Sequence, residues 1–304
     1  MPTARRGAIE SCARPPLGAL LAPALFAVLV PALALAASES KRPNPSAACA
    51  PEMVASGTVV TVIDGRTFTL TDGREVRLPS IEVLAPPGPD QKAAAASAAA
   101  DAPEPAGPDP GEAAAGALQK LLAGRNVALH ASKLMTDRYG RILADALVSR
   151  DGYPGSVQKA LLSEGLAWVA ARPGEPGCLA ELRTAERVAR NAKLGLWADP
   201  RYLPRQADDV AGLSAERGRF ILVEGKVVSV RESGGTIYVN FGRRWSEDFT
   251  VTILKRNERQ FTAAGLRPSG LSGRHVMVRG WIEERGGPWI EAAGPEQIEI
   301  IAEK

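Results

Sequence analysis

Five side chains carry the chemistry this sequence offers: Asp64 and Arg66 in the turn Asp64-Gly65-Arg66, Arg77 in Val76-Arg77-Leu78, Glu82 in Ile81-Glu82, and Arg141 in Tyr139-Gly140-Arg141. Guanidinium groups present planar forks of donors that match phosphate or carboxylate. Two carboxylates are a thin set for a hard divalent cation, since calcium takes about six to eight oxygens, several of them anionic. Histidine or cysteine metal chemistry is not indicated, because His130 and His275 stand far apart without ligand spacing and read as strand surface residues. Each arginine taken alone is more often a solvated strand residue paired with a nearby carboxylate.

The elements that must position these residues are legible from pattern. Thr58 to Ile63, Thr67 to Leu70 and Glu75 to Leu78 are short β-branched runs separated by Asp64-Gly65 and Asp72-Gly73. Asp-Gly between such runs is a strong hairpin signal, so the segment reads as a three-stranded meander. Residues 85–115 are rich in Ala, Pro, Gly and acids, with little to offset the entropy of ordering them. That stretch reads as a mobile insertion, its Lys92 to Ala100 part transiently helical. A short helix follows over Ala117 to Ala123, then strands over Asn126 to Ala131 and Arg141 to Ser149. Helices follow over Val157 to Glu164 and Leu179 to Leu194, with Trp197 packing back. Strands first and helices after is the order of an α+β fold.

Through Gly57 to Glu82 and Thr136 to Ala146, the stretch Val54 to Trp197 resembles the thermonuclease, or staphylococcal-nuclease-like, family. The resemblance implies an OB barrel with helices, a calcium ion held by aspartates, a glutamate that acts as general base, and two arginines on the scissile phosphate. Arg77 and Arg141 match those two arginines and Asp64 matches the aspartate that opens the turn. Glu82 matches the second calcium-binding aspartate with a longer side chain. Two positions depart from the pattern. Arg66 stands where the family's Asp-Gly-Asp turn has a ligand aspartate, and Val83-Leu84-Ala85-Pro86-Pro87 replaces the expected Pro-Glu pair.

The departures have physical consequences. A guanidinium about 4 to 5 Å from a divalent ion costs up to roughly 7 kcal/mol at an effective dielectric of ~20. A missing general base removes about 10² to 10⁴ in rate. Arg66, Arg77 and Arg141, converging as the resemblance implies, would form an anion site without making hydroxide. Three readings stay open. The first is a nuclease-like protein that binds nucleic acid or nucleotide phosphates with little or no cleavage and no cofactor. The second is an active calcium-dependent phosphodiesterase that keeps Asp64 and Glu82 as residual metal ligands and draws other acids from Glu75, Asp72, Asp90 or Glu104. The third is a non-catalytic envelope module in which Arg66 pairs with Asp64 or Glu82.

A polar stretch with Pro204 marks a boundary, after which the chain is almost all β: Phe220 to Val230, Thr236 to Phe241, Phe249 to Ile253, Arg274 to Glu283 and Trp289 to Ile301. Five short strands and a helical piece, Glu258 to Ala264, indicate a second, small all-β OB-like barrel. Asn240-Phe241-Gly242, Asp248-Phe249-Thr250-Val251 and Gly280-Trp281-Ile282 look like a barrel attached to secreted thermonuclease-like domains in bacteria, without an activity that this implies. Period-two alternation sends Phe241, Phe249 and Trp281 into its core and leaves its arginines to pair with Glu247, Asp248, Glu283 and Glu284. Arg243-Arg244-Trp245 is the best ligand surface on this domain if it has one.

The first 37 residues carry Arg5, Arg6 and Arg14, an apolar run from Leu17 to Leu35 and a small-residue end at Ala34-Leu35-Ala36, as a secretory signal peptide does. A retained anchor is the alternative. Cleavage places the protein in the periplasm or outside the cell, away from the membrane. Removing three arginines and one glutamate from the net charge of +3 leaves +1, so affinity for nucleic acid must come from local patches. Cys49 and Cys178 remain as a candidate disulfide, with two free thiols as the alternative. The domain plan is a leader over 1–37, a linker over 38–52, a first domain over 53–199 with the 85–115 insertion, a linker over 200–216 and a second domain over 217–304.

Overall fold

The meander forms from its alternating runs as β1 (Met53–Asp64), β2 (Thr67–Leu70) and β3 (Glu75–Arg77), and a short β4 (Ser80–Glu82) follows. The structure is a computed structural model that describes residues 52–85, 109–150, 153–170 and 179–301. The leader, the Cys49–Cys178 pair and residues 86–108 of the insertion lie outside the described residues. Among the described residues no helix is long and apolar enough to cross a membrane.

The first domain continues with helix α1 (Pro110–Leu122), β5 (Asn126–His130), β6 (Ile142–Leu143), β7 (Asp145–Arg150), β8 (Tyr153–Ser156), α2 (Val157–Ser163), β9 (Trp168–Ala170) and α3 (Leu179–Asn191). Seven strands share one sheet in the order β6-β3-β2-β1-β5-β7-β8, while β4 pairs with β9. Helices and sheet enclose one core that includes Phe68, Leu118, Leu129 and Leu161. Helix α1 starts six residues inside the stretch read as a mobile insertion. Asp109 caps it by accepting from the Gly111 and Glu112 amides, and Pro110 sits at its first position, where a missing N–H is harmless.

The span 200–216 is more than a linker. It contains β10 (Arg205–Gln206) and α4 (Val210–Ala215), the latter capped by Asp209. The second domain adds β11 (Phe220–Lys226), β12 (Ser229–Ser233), β13 (Thr236–Asn240), β14 (Thr250–Leu254), α5 (Glu258–Ala263), β15 (His275–Trp281), β16 (Glu283–Arg285), β17 (Gly287–Glu291) and β18 (Ile298–Ile300). A four-stranded sheet, β10-β11-β15-β18, and a five-stranded sheet, β12-β13-β14-β17-β16, enclose a second core with Phe241, Phe249 and Phe261. The fold is α+β followed by a small all-β domain.

A third cluster joins the two: Trp168, Ala189, Leu196 and Trp197 of the first domain meet Leu222 and Met277 of the second. Strand parity explains it. On β15, Val276 and Val278 point into the second core, so Met277, Arg279 and Trp281 share the opposite face, which meets the first domain. The expectation that Trp281 fills the second core is therefore corrected: it lies on the other parity and is 51% exposed. The expected acidic partners of the second-domain arginines hold in part. Arg244 meets Glu247 at 2.9 Å and Arg217 meets Glu284 at 3.4 Å, but Arg279 reaches across to Glu186 on α3 at 2.9 Å. Of the two histidines, His275 is half-buried and 3.2 Å from Glu224, and His130 is half-buried at the end of β5.

Candidate functional site

Strand register brings the singled-out residues to one end of the sheet. Asp64 ends β1 opposite Thr67, Thr67 pairs with Arg77, and β3 runs parallel to β6 with Arg77 beside Leu143. Arg141 immediately precedes β6. Gly65 is required by close approach: a Cβ there would lie 2.6 Å from the Ala114 Cβ on α1. The backbone of the turn is further held by the Arg66 amide, which donates to Asp64 Oδ1 at 2.8 Å. Ser80, at φ 65°, reverses the chain so that Ile81 and Glu82 return to the same place.

Within this cluster the arginines differ in how fully they are engaged. Arg66 forms a bidentate pair with Glu82 through both guanidinium ends, and its Nη1 also donates to the Ile81 carbonyl at 2.9 Å. Arg77 is loosely held, with Nη1 donating to Thr67 Oγ1 at 3.3 Å and standing 3.9 Å from Asp64 Oδ2. Arg141 is folded onto its own turn: its Nε donates to Asp137 Oδ2 at 2.7 Å, and its guanidinium lies 5.0 Å from the exposed Tyr139 ring. Gly140 permits this turn at φ 81°.

The electrostatics follow from this crowding. Burial holds the Arg77 pKa below the ordinary arginine value, and repulsion from Arg66 and Arg141 lowers it further against the pull of Asp64 and Glu82. Burial likewise pushes the Glu82 carboxyl up, with Arg66 and Arg77 pulling the other way. Asp137 is opposed by burial, yet hydrogen bonds from the Arg141 side chain and from the Tyr139 and Arg141 amides leave it below the usual carboxylate range. All three guanidinium groups thus belong to one charge system, in which Arg77 is the cation least satisfied by a partner. Among the described residues no group of three or more His, Cys, Asp or Glu converges as a cation cage would need.

Asp64, Arg66, Arg77 and Glu82 open onto a cleft of about 640 Å³ whose far wall belongs to the second domain. Trp168, Tyr202, Arg219 and Phe220 line it together with Trp281. Of these, only Trp281 stands out in the sequence, and there as a core residue. Trp168, Tyr202 and Phe220 give no local signal, because what places them here is the contact between the domains.

Residues 98–199 match the model of the family described as staphylococcal nuclease homologue. Over 73 residues the chain is 37% identical to Protein ParB of Escherichia coli, a stretch covering 21% of this chain and 39% of that protein. The chain thus spans well under half the length of this curated relative. The family match takes in Arg141 and the helices but begins beyond β1–β4, which carry Asp64, Arg66, Arg77 and Glu82. Those strands enter the same sheet through the β1–β5 and β3–β6 pairings. Residues 98–199 thus form a staphylococcal-nuclease-like domain, and β1–β3 complete its sheet.

Proposed function

We propose that the protein binds phosphodiesters of nucleic acid at the Arg77 end of this cluster and cleaves them weakly or not at all. The observation that carries this reading is the bidentate Arg66–Glu82 pair. A divalent cation at this place would need the Glu82 oxygens, and both are taken by a guanidinium that is already a cation. The donor set that remains, Asp64, also faces Arg77. These residues do not fit calcium.

Without such an ion the side chains still hold and orient an anion. Arg77 supplies a partly desolvated guanidinium whose weak internal contacts leave its fork available, and a phosphate there would relieve its repulsion from Arg66 and Arg141. Glu82 is unsuited to take a proton from water while it is locked to Arg66. The signal-peptide pattern of the first 37 residues supports a location in the periplasm or outside the cell.

Incubation of the purified protein with labelled single-stranded DNA and calcium tests it. The expected result is retention of the DNA, weakened about tenfold or more by Arg77→Ala, and no cleavage above a buffer control. Calcium-dependent cleavage that is abolished by chelator and by Arg141→Ala would overturn it.

A further inference from the structure

The second domain's share of the cleft points to a ligand more specific than a bare phosphate. Glu82 pairs directly with Trp168 across the β4–β9 ladder, so the arginine site and the aromatic wall begin side by side. From Trp168 the rings continue without a break. Phe220 lies 6.4 Å away and Tyr202 6.5 Å away between centroids, and Phe220 meets Trp281 edge-on at 6.1 Å, the two being direct partners across β11 and β15. Trp168 is buried, whereas half of the Trp281 surface remains open.

Charge follows the same path. Five arginines and three carboxylates line the cleft. Glu216 is shared by Arg205 at 2.6 Å and Arg219 at 3.0 Å, so one carboxylate neutralises two guanidinium groups, and the Arg219 side chain is 64% exposed. An exposed indole beside an under-neutralised arginine, connected by a ring wall to a second arginine cluster, matches a single strand. Its phosphates meet the cations and an unpaired base stacks on the ring.

We infer that the cleft takes a single-stranded polynucleotide, with one phosphate at Arg77, a base stacked on Trp281 and a further phosphate at Arg219. This rests on the reading of the Arg77 cluster as a phosphate site. It also distinguishes Trp281 from Trp245, which is 70% exposed on a loop whose Arg244 is engaged by Glu247 and Asp248.

The test is fluorescence anisotropy on the full chain with two probes, a short labelled oligodeoxythymidylate and an abasic strand of the same length and charge. Trp281→Ala is expected to weaken the oligothymidylate by about 5- to 50-fold while barely changing the abasic strand. Trp281→Phe is expected to restore most of the loss, and Trp245→Ala to change neither. Arg77→Ala is expected to weaken both probes. If Arg77→Ala weakens both while Trp281→Ala changes neither, the base subsite is overturned and the phosphate reading survives. If neither probe binds the wild-type protein, or polyglutamate displaces the oligothymidylate as well as the unlabelled strand does, both readings fall. Recovery in Trp281→Phe shows that a lost ring, and not a damaged fold, explains the Trp281→Ala result.

Discussion

Among the described residues, a buried Arg–Glu pair and a half-buried one share local chemistry and differ in surroundings. Arg279 and Glu186 are 1% and 4% exposed at the side chain and sit between the domains. Arg66 and Glu82 are 13% and 11% exposed and sit at the mouth of a cleft. Glu186 accepts from both Arg279 and the Val169 amide, and Arg279 also donates to the Val169 carbonyl, so this pair closes a network that joins α3, β9 and β15. The Arg66–Glu82 pair closes a turn against β4 but faces a second guanidinium, Arg77, across open space. The same bond ties α3 to β15 in one setting and, in the proposed reading, fills the place of an ion in the other. What surrounds a salt bridge, and not the bridge itself, decides whether it serves architecture or function.

The largest effect is expected at the Arg279–Glu186 pair. Arg279→Ala leaves Glu186 charged and enclosed, and is expected to cost about 3–5 kcal/mol in urea unfolding. A loss below about 1 kcal/mol would mean that water reaches Glu186 and that the interface is looser than described.

Arg66→Ala is expected to cost less, about 1–3 kcal/mol, because Glu82 has a route to solvent. Its pH dependence has a definite sign. The Glu82 carboxyl is raised by burial, so the folded state holds its proton more tightly than the unfolded chain does. That contribution is fully present below the unfolded value, about 4.3, and is lost as pH rises through the raised folded value. Removing Arg66 raises the folded value further, so the deficit of the variant should be small in acid and grow toward neutral pH. Unfolding curves at several pH values measure it. A deficit independent of pH would mean that packing, not charge, is what Arg66 supplies.

The smallest effect is expected at Asp137, which holds the Arg141 turn. Its carboxyl is lowered in the folded state, so its stabilisation is present above the ordinary aspartate range and lost as pH falls through the lowered value. Asp137→Asn should cost below about 1.5 kcal/mol near neutrality, and the difference in melting temperature from wild type should vanish in acid. A difference that persists in acid would show that the amide side chain disrupts the turn by shape.

Much of the first domain could be read before folding. The β1–β3 meander follows from β-branched runs broken by Asp-Gly, which need only local rules; Arg77 ends it, and Arg141 sits in a separate motif just before β6. The start of α1 was hidden in an Ala/Pro/Gly-rich stretch, although Asp109-Pro110 is a cap and first-turn signal. A further Asp cap, Asp209, marks α4 inside what reads as a linker. Period-two alternation misplaces Trp281 because it gives two faces without saying which one is the core. On β15, Val276 and Val278 enter their own core while Met277, on the other face, meets the first domain. Arg279–Glu186 has no local signature at all, since the partners stand 93 residues apart.

Calcium titration of wild type and Arg66→Asp by calorimetry, with and without a nucleoside bisphosphate, decides whether the Arg66–Glu82 pair excludes a divalent ion. Wild type is expected to bind no calcium under either condition and Arg66→Asp to gain measurable binding, as the guanidinium releases Glu82 and a carboxylate takes its place beside Asp64. Calcium binding by wild type that Arg66→Asp leaves unchanged would contradict it.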